Sequence, residues 1–241
     1  MMRLNQFLAK NLGISRRQAD QLIISKKVKV NGAFGELFIR VEEADKVEVK
    51  TQTDWQTLHH QKLNQTILFY KPIFCISTRY DPLKRKTIYD FLPKIFRHLK
   101  PAGRLDYMSE GLMVLSSDGD LLQKITHPRF GSIKQYLVAI DKPFESIQII
   151  LMQEGMRLDD YDLNPVKVWQ SAVQLKTFEY LKLDPRLHWY FFELTEGRNQ
   201  QIRRICKLFG KRVRRLIRIR QGNYELTREL YEKKVLVEPT L

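Results

Sequence analysis

Residues 197–224 form the segment that most restricts what this chain can fold into and bind. They contain ten arginines and lysines and no aspartate or glutamate. So many like charges repel one another unless solvent or a bound polyanion screens them. A solvated face is the usual explanation of a charged run, but the complete absence of acids favours contact with nucleic acid. We therefore predict nucleic-acid contacts for Arg198, Arg204, Arg214, Arg218 and Arg220.

Apolar residues within this segment predict a helix followed by a strand. The helix covers residues 201–209, and its apolar face, at spacing i, i+3, i+4 and i+7, holds Ile202, Ile205, Cys206 and Phe209. A strand follows from Val213 to Ile219, in which a period of two places Leu216 in one row with Arg214, Arg218 and Arg220. Leu216 is the one apolar residue in that row. Core packing and a place in a functional site both remain open for it.

The composition of the whole chain supports a polyanionic partner. Forty-two Lys and Arg face 27 Asp and Glu, which gives a formal charge of +15 in 241 residues. Neutralising phosphates releases counterions and favours binding whatever the base sequence. A basic protein without such a partner and an anionic membrane surface are the weaker alternatives. An apolar fraction of 43% is enough to bury a core.

Other classes of protein are excluded by what the sequence lacks. Cys75 and Cys206 cannot build a disulfide framework, and the five histidines show no ligand spacing, so we expect no protein-built metal site. Nothing approaches about 18 consecutive apolar residues, and the N-terminus has no apolar signal region. A membrane protein is therefore excluded, and the expected compartment is the cytoplasm.

The order of patterns along the chain predicts two domains joined by a linker. Residues 1–50 form a small basic module with two helices, a capping box at Ser15-Arg-Arg-Gln18, and two alternating strands. Residues 51–64 are polar and without a period, which predicts a linker. Residues 65–241 mix strands and helices irregularly, which predicts an α+β domain rather than a regular βαβ series.

Two shorter segments could carry chemistry. Asp106 follows Gly103-Arg-Leu and precedes a strand, where an aspartate is most often a turn former or a helix cap. Tyr136 lies on the apolar face of a strand that begins near Lys134, where a tyrosine is usually part of the core. Taken singly, neither residue indicates a function.

Together these segments resemble the RsuA/RluB-type pseudouridine synthases, which modify ribosomal RNA. The first thirty or so residues are similar to that family's S-four-type RNA-binding domain. The family motifs are matched in order by Tyr70-Lys71-Pro72, Gly103-Arg-Leu-Asp106, Glu110-Gly111-Leu112, Ser117-Asp118-Gly119, Lys134-Gln-Tyr136, the run from Glu196 to Arg204, and Arg215 to Gly222. Ser109 stands where threonine is usual, and the tail after Gly222 is less typical.

The resemblance implies a fold and a set of site residues. It implies an N-terminal S-four-type domain at 1–50 and a catalytic domain at 65–241 with a mixed, mostly antiparallel central sheet. Asp106 would be the catalytic carboxylate, Arg203 its ion-pair partner, Tyr136 the residue that packs on the target base, and Leu216 a wall of the site. Arg104 would fill the space that the extruded uridine leaves or hold a phosphate. Phosphates would also meet Arg16, Arg17, Lys26, Lys27 and Lys29 of the first domain.

The implied reaction isomerises one uridine of ribosomal RNA to pseudouridine, with the large subunit favoured over the small one. It needs no redox step, group donor or metal, so no cofactor is expected. Asp106 could attack the sugar or remove a proton from it, and both routes remain open. We expect a monomer acting on free ribosomal RNA or on an assembling subunit. A non-catalytic RNA-binding factor is the first alternative. An RNA methyltransferase is the second, but the chain lacks the glycine-rich loop that such an enzyme needs.

Overall fold

A computed structural model describes residues 2–59, 64–158 and 161–238 of the chain. The chain divides into two units, residues 1–64 and residues 65–241. Neither unit has, among its described residues, a helix long and apolar enough to cross a membrane.

The first unit combines two helices with a small antiparallel sheet. Its elements are β1 (Met2–Arg3), α1 (Leu4–Leu12), α2 (Arg16–Ile24), β2 (Val28–Val30), β3 (Ala33–Phe34), β4 (Arg40–Val41), β5 (Val47–Lys50) and β6 (Trp55–Leu58). The sheet order is β3-β2-β5-β6, and β1 pairs with β4. The predicted capping box is confirmed, because the Ser15 hydroxyl accepts from the Gln18 N–H at 3.2 Å and the Gln18 side chain accepts from the Ser15 N–H at 2.8 Å.

The predicted linker at 51–64 is wrong for residues 55–58. These residues form β6, in which Leu58 pairs with Val47 and is buried in the core of the first unit. The strand has four residues and Leu58 is its one fully buried side chain, so no alternating pattern marks it in the sequence. The first unit therefore extends past residue 50, and residues 60–63 of the predicted linker lie outside the described residues.

The second unit is an α+β domain that begins at residue 65. Its first elements are β7 (Thr66–Lys71), α3 (Ile88–Phe91), β8 (Lys100–Pro101), β9 (Glu110–Ser116), α4 (Gly119–Thr126), β10 (Lys134–Ile140), α5 (Ser146–Glu154), β11 (Arg157–Leu158) and β12 (Tyr161–Asp162). The others are β13 (Lys167–Trp169), α6 (Ala172–Lys176), β14 (His188–Leu194), α7 (Gln201–Leu208), β15 (Val213–Gln221), β16 (Tyr224–Glu225), α8 (Arg228–Lys233) and β17 (Val235–Val237).

Nine strands of the described residues form the central sheet of this unit. Seven run in the order β13-β14-β10-β15-β9-β7-β17, while β8 pairs with β9 and β16 pairs with β15. The β15–β9 pair is parallel and the other pairs are antiparallel. The mixed, mostly antiparallel sheet that the resemblance implied is therefore confirmed.

The parallel pair is a short junction between the two halves of the sheet. Only Ile217 with Glu110 and Arg218 with Gly111 are in register there. A Cβ on Gly111 would lie 2.4 Å from the carbonyl oxygen of Arg218, so the close approach requires glycine. Glu110 reinforces the junction, because it accepts from Arg215 Nε at 2.7 Å and from the hydroxyl of Tyr70.

The two faces of the sheet are covered differently. One face has a single apolar cluster that reaches across both halves and includes Leu68, Leu112, Leu137 and Ile217. The opposite face has one cluster on β7 and β9 and another on β10, β14 and β15. Tyr136 packs against both of these clusters. A cleft therefore opens on this face, near the junction.

The predicted row of arginines on one face of β15 is wrong, because two bulges interrupt the strand. Against β10, Arg220 pairs with Gln135 and Arg218 with Tyr136, so Ile219 is an extra residue. A second irregularity leaves Arg214 extra in the same way. Each inserted residue reverses the alternation of side chains beyond it. Between the two bulges, Arg218 and Leu216 keep the ordinary alternation and share the cleft face. Arg220, beyond the bulge at Ile219, lies on the other face beside Trp169.

Candidate active site

The cleft has a volume of about 370 Å³, within the range of small-molecule sites. The turn before β9, strands β10 and β15, and the loop between β14 and α7 form its walls. Six of the residues singled out in the sequence line it, namely Arg104, Asp106, Tyr136, Arg198, Leu216 and Arg218. The fold thus brings together residues from four separate segments of the chain, up to 114 positions apart.

Asp106 lies on a turn whose main chain is held by buried side chains. The Ser77 hydroxyl donates to the carbonyl of Leu105 at 2.8 Å and accepts from the Leu105 N–H at 3.1 Å. Within the turn, the Ser109 N–H donates to the carbonyl of Asp106 at 3.0 Å. Asp106 itself is partly exposed in the cleft. The turn thus presents this carboxylate from a fixed backbone.

Lys71 is a buried cation beneath the same turn. Its Nζ donates to the carbonyls of Ser109 at 2.7 Å, Pro72 at 2.9 Å and Asp106 at 3.1 Å. Burial lowers the pKa of Lys71, while the nearby Cys75 and Asp106 act in the opposite direction. In the sequence, Lys71 belongs only to the strand-and-turn motif Tyr70-Lys71-Pro72. A lysine that ends an apolar strand was the one signal of its burial.

Tyr136 and Arg218 are opposite one another on β10 and β15. Arg218 is only 2% exposed, and its Nε donates to the carbonyl of Leu112 at 2.8 Å. Burial lowers the pKa of Arg218, and Tyr136 acts against that shift. Arg218 was predicted to contact RNA from the surface. The structure instead buries it in the floor of the cleft, on the same face of β15 as Leu216.

Arg203, on α7, contacts the turn of Asp106 through the main chain. Its Nη2 donates to the carbonyl of Met108 at 2.8 Å. Burial lowers the pKa of Arg203, and the charge of Asp106 raises it. However, no nitrogen of Arg203 lies within salt-bridge distance of a carboxylate oxygen of Asp106, and both residues are among those that the structure describes. The two charges attract each other without forming the direct ion pair that the resemblance implied.

The remaining predicted RNA-binding residues have several different environments. Arg104 is exposed beside the cleft, and Arg198 pairs with Glu196 at 3.0 Å. Arg204 donates to the hydroxyl of Tyr161, and Arg214 lies 4.0 Å from Asp141. In the first unit, the side chains of Arg16, Arg17, Lys26 and Lys27 are exposed, and Lys29 lies 4.3 Å above the ring of Trp55.

Each of the two units matches the model of a known protein family. Residues 65–208 match the model of the RNA pseudouridylate synthase family, and residues 2–33 match that of the S4 domain. An uncharacterized RNA pseudouridine synthase of Aquifex aeolicus is 33% identical over 97% of this chain and 94% of its own length. A ribosomal large subunit pseudouridine synthase B of Yersinia pestis is 29% identical over 95% of this chain and 70% of its own length. A crystal structure of a pseudouridylate synthase superposes with a TM-score of 0.65 at 27% identity, covering 99% of this chain and 96% of that one.

Proposed function

The chain belongs to the RNA pseudouridylate synthase family, and we propose that it converts one uridine of large-subunit ribosomal RNA to pseudouridine. The relatives named ribosomal large subunit pseudouridine synthase B support the choice of RNA. The observation that carries the proposal is the position of Asp106, a carboxylate fixed in a cleft that Tyr136 and Leu216 also line.

The reaction exchanges one bond between base and sugar for another. The bond from N1 of uracil to C1′ of ribose breaks, the base turns, and a bond from C5 to C1′ forms. C5 then loses its proton and N1 gains one, so the product is an isomer of the substrate. The carboxylate of Asp106 acts on the sugar, either as a nucleophile at C1′ or as a base that removes a ribose proton.

Tyr136 and Leu216 hold the free base between the two bond changes. Tyr136 offers an aromatic face that can pack on uracil, and Leu216, only 5% exposed, is an apolar wall beside it. Such contacts do not depend on the orientation of the ring, so the base can turn without leaving the cleft. Arg203 and Lys71 act as positioning residues, because both hold the backbone of the Asp106 turn.

RNA reaches this site through exposed cations. Arg104 and Arg198 lie at the cleft, and the cations of the S4 domain, led by Arg16 and Arg17, supply phosphate contacts. The substrate is ribosomal RNA, free or in an assembling subunit, and we place the protein in the cytoplasm as a monomer. No step of the isomerisation requires a cofactor.

Tritium release tests the reaction. Ribosomal RNA labelled with tritium at C5 of uridine is incubated with the wild type, with Asp106→Asn, and with Asp120→Asn as an exposed-acid control. The wild type and the control are expected to release tritium, and Asp106→Asn none. Release by Asp106→Asn would contradict the role of the carboxylate. Binding without release by the wild type would support a non-catalytic RNA-binding factor.

The same reaction identifies the substrate. Mapping pseudouridine in both ribosomal RNAs after incubation is expected to find the new residue in large-subunit RNA. A modified site confined to small-subunit RNA would contradict that part of the proposal and leave the reaction itself established.

A further inference from the structure

Two aromatic side chains lie exposed next to Asp106. Tyr107 follows Asp106 in the chain and is 37% exposed, and Phe74 beside it is 51% exposed. Ile73 and Met108 extend the same apolar patch, and both are exposed. We call Ile73, Phe74, Tyr107 and Met108 the ledge. Exposed apolar patches of this kind are usually interaction sites.

The ledge has a fixed geometry. The Phe74 N–H donates to the carbonyl of Tyr107 at 2.8 Å, and the two ring centroids are 5.7 Å apart. Phe74 has φ of +61°, a conformation that is strained for a side chain of this size. Arg203 holds the other end through the carbonyl of Met108. Strain that the surrounding contacts maintain is common where a protein meets its ligand.

The charges around the ledge select the kind of partner. Lys84, Arg85 and Lys86 are exposed in the loop that follows Phe74. Asp81 is the one acid between residues 73 and 86, and Arg85 pairs with both of its carboxylate oxygens at 2.9 Å. The guanidinium of Arg85 also lies 5.9 Å from the ring of Tyr107. Aromatic faces bordered by cations are the surfaces on which single-stranded nucleic acids stack their bases.

We propose that the ledge binds an unpaired base of the RNA next to the target uridine. This inference rests on the proposed function, since extruding a uridine removes the stacking of its neighbours. A neighbouring base placed on Tyr107 recovers stacking one residue away from the carboxylate. The exposed side chains of Lys84 and Lys86 would meet phosphates of the same strand. The ledge is thus a second, base-stacking contact beside the cleft.

Binding of single-stranded RNA tests this inference. The full chain is titrated with a fluorescein-labelled uridine-rich 12-mer and with the same sequence as a duplex, at several salt concentrations. The variants are Tyr107→Ala, Phe74→Ala and Tyr107→Phe, and Val173→Ala is the control at another exposed apolar residue. We expect Tyr107→Ala and Phe74→Ala to lose roughly five- to a hundredfold in affinity for the single strand. Tyr107→Phe and Val173→Ala should bind like the wild type.

Two further readouts separate stacking from other causes. The slope of log affinity against log salt should stay unchanged in Tyr107→Ala, because no cation is removed. Duplex affinity should also stay unchanged. Wild-type affinity in Tyr107→Ala would overturn the inference and leave the ledge as a contact for a protein. An equal loss in Tyr107→Phe would overturn it too, because the stacking face is retained there.

Tritium release keeps this result distinct from that of the proposed function. If the wild type releases tritium and the ledge variants bind RNA normally, the ledge inference fails and the function stands. If the wild type releases none but Tyr107→Ala still loses single-strand affinity, the function fails and the ledge stands as an RNA surface.

Discussion

Lys71 and Arg218 are buried cations that bind main-chain carbonyls around the cleft. Lys71 donates to three carbonyls of the Asp106 turn and its surroundings, and Arg218 donates to Leu112. Burying a charge is unfavourable unless dipoles or an opposite charge compensate. Carbonyl dipoles stabilise both cations, and Cys75 and Asp106 act in the same direction on Lys71, whereas the Nη2 of Arg218 is buried without a hydrogen-bond partner among the described residues. At the scale of single residues, two almost fully buried cations thus hold main-chain carbonyls around the cleft.

Lys71→Met removes the charge while keeping the length of the side chain. We expect the free energy of unfolding to fall by about 2 kcal/mol, because buried carbonyls lose their donor. Turnover should fall more than RNA affinity, because the Asp106 turn loosens. Urea unfolding and tritium release measure the two effects, with Lys142→Met as the control at an exposed lysine. Unchanged stability and turnover would show that Lys71 does not hold the turn.

Arg104→Ala tests whether an exposed arginine takes part in extruding the uridine. Arg104 lies two residues before Asp106 and beside the cleft. If it fills the vacated place in the RNA or holds the adjacent phosphate, its removal should lower turnover more than overall RNA affinity. Tritium release and filter binding on the same RNA provide the comparison, and Arg97→Ala is an exposed control. Equal losses in both measurements would reduce Arg104 to a general phosphate contact.

At the scale of elements, the cleft is a consequence of the junction between β9 and β15. The parallel pairing covers two residues on each strand, and Glu110, Arg215 and Tyr70 tie three strands together there. The bulges of β15 then select which side chains face the cleft. Leu216 and Arg218 face it, while Arg215 turns to Glu110 on the other face.

Gly111→Ala tests how tightly the junction is packed. The new Cβ would meet the Arg218 backbone at 2.4 Å, at a residue with φ of +110°. We expect a loss of more than about 3 kcal/mol in the free energy of unfolding, from strain and from separation of the strands. Gly210→Ala is the matched control, since its φ is +67° and nothing lies within 4 Å of the added atom. Similar losses in the two variants would leave backbone strain as the whole cause.

At the scale of the whole molecule, exposed cations lie on both the S4 domain and the pseudouridine synthase domain. The first unit displays cations on α2 and after it, and the second places cations around a cleft that contains Asp106. Phosphate contacts supply affinity without sequence information, so capture of RNA and chemistry can reside in separate units. The formal charge of +15 makes the affinity of the whole chain strongly dependent on salt.

Deletion of residues 1–64 separates capture from chemistry. The cut follows β6, because that strand belongs to the first unit. We expect a raised KM for ribosomal RNA and a kcat close to that of the full chain. The slope of log affinity against log salt should decrease by up to about four if all five predicted cations meet phosphates. The double variant Arg16→Gln with Arg17→Gln should remove about two of these. An unchanged KM would contradict a role of the S4 domain in capture.

The sequence by itself determined several local elements and predicted residues that the structure places at the cleft. Apolar spacing predicted the helix that became α7 and the strand β15, and the Ser15-Arg-Arg-Gln18 pattern predicted the capping box of α2, because such patterns reflect contacts within one element. Motif resemblance selected Asp106, Tyr136 and Leu216, which the structure brings into one cleft. The polar, aperiodic stretch of residues 51–64 predicted a second domain from residue 65, where the second unit begins.

Only the tertiary structure decided which side chains share a face or a partner. Lys71 meets the carbonyl of Asp106 across 35 residues, and no local pattern encodes a contact over that separation. The bulges of β15 depend on its register with β10, so a strict period of two placed Arg220 on the wrong face. β6 forms by pairing with the edge of β5, a contact between two elements that the residues of β6 alone do not indicate. Periodicity records the contacts of one element, whereas register and long-range hydrogen bonds depend on the element packed against it.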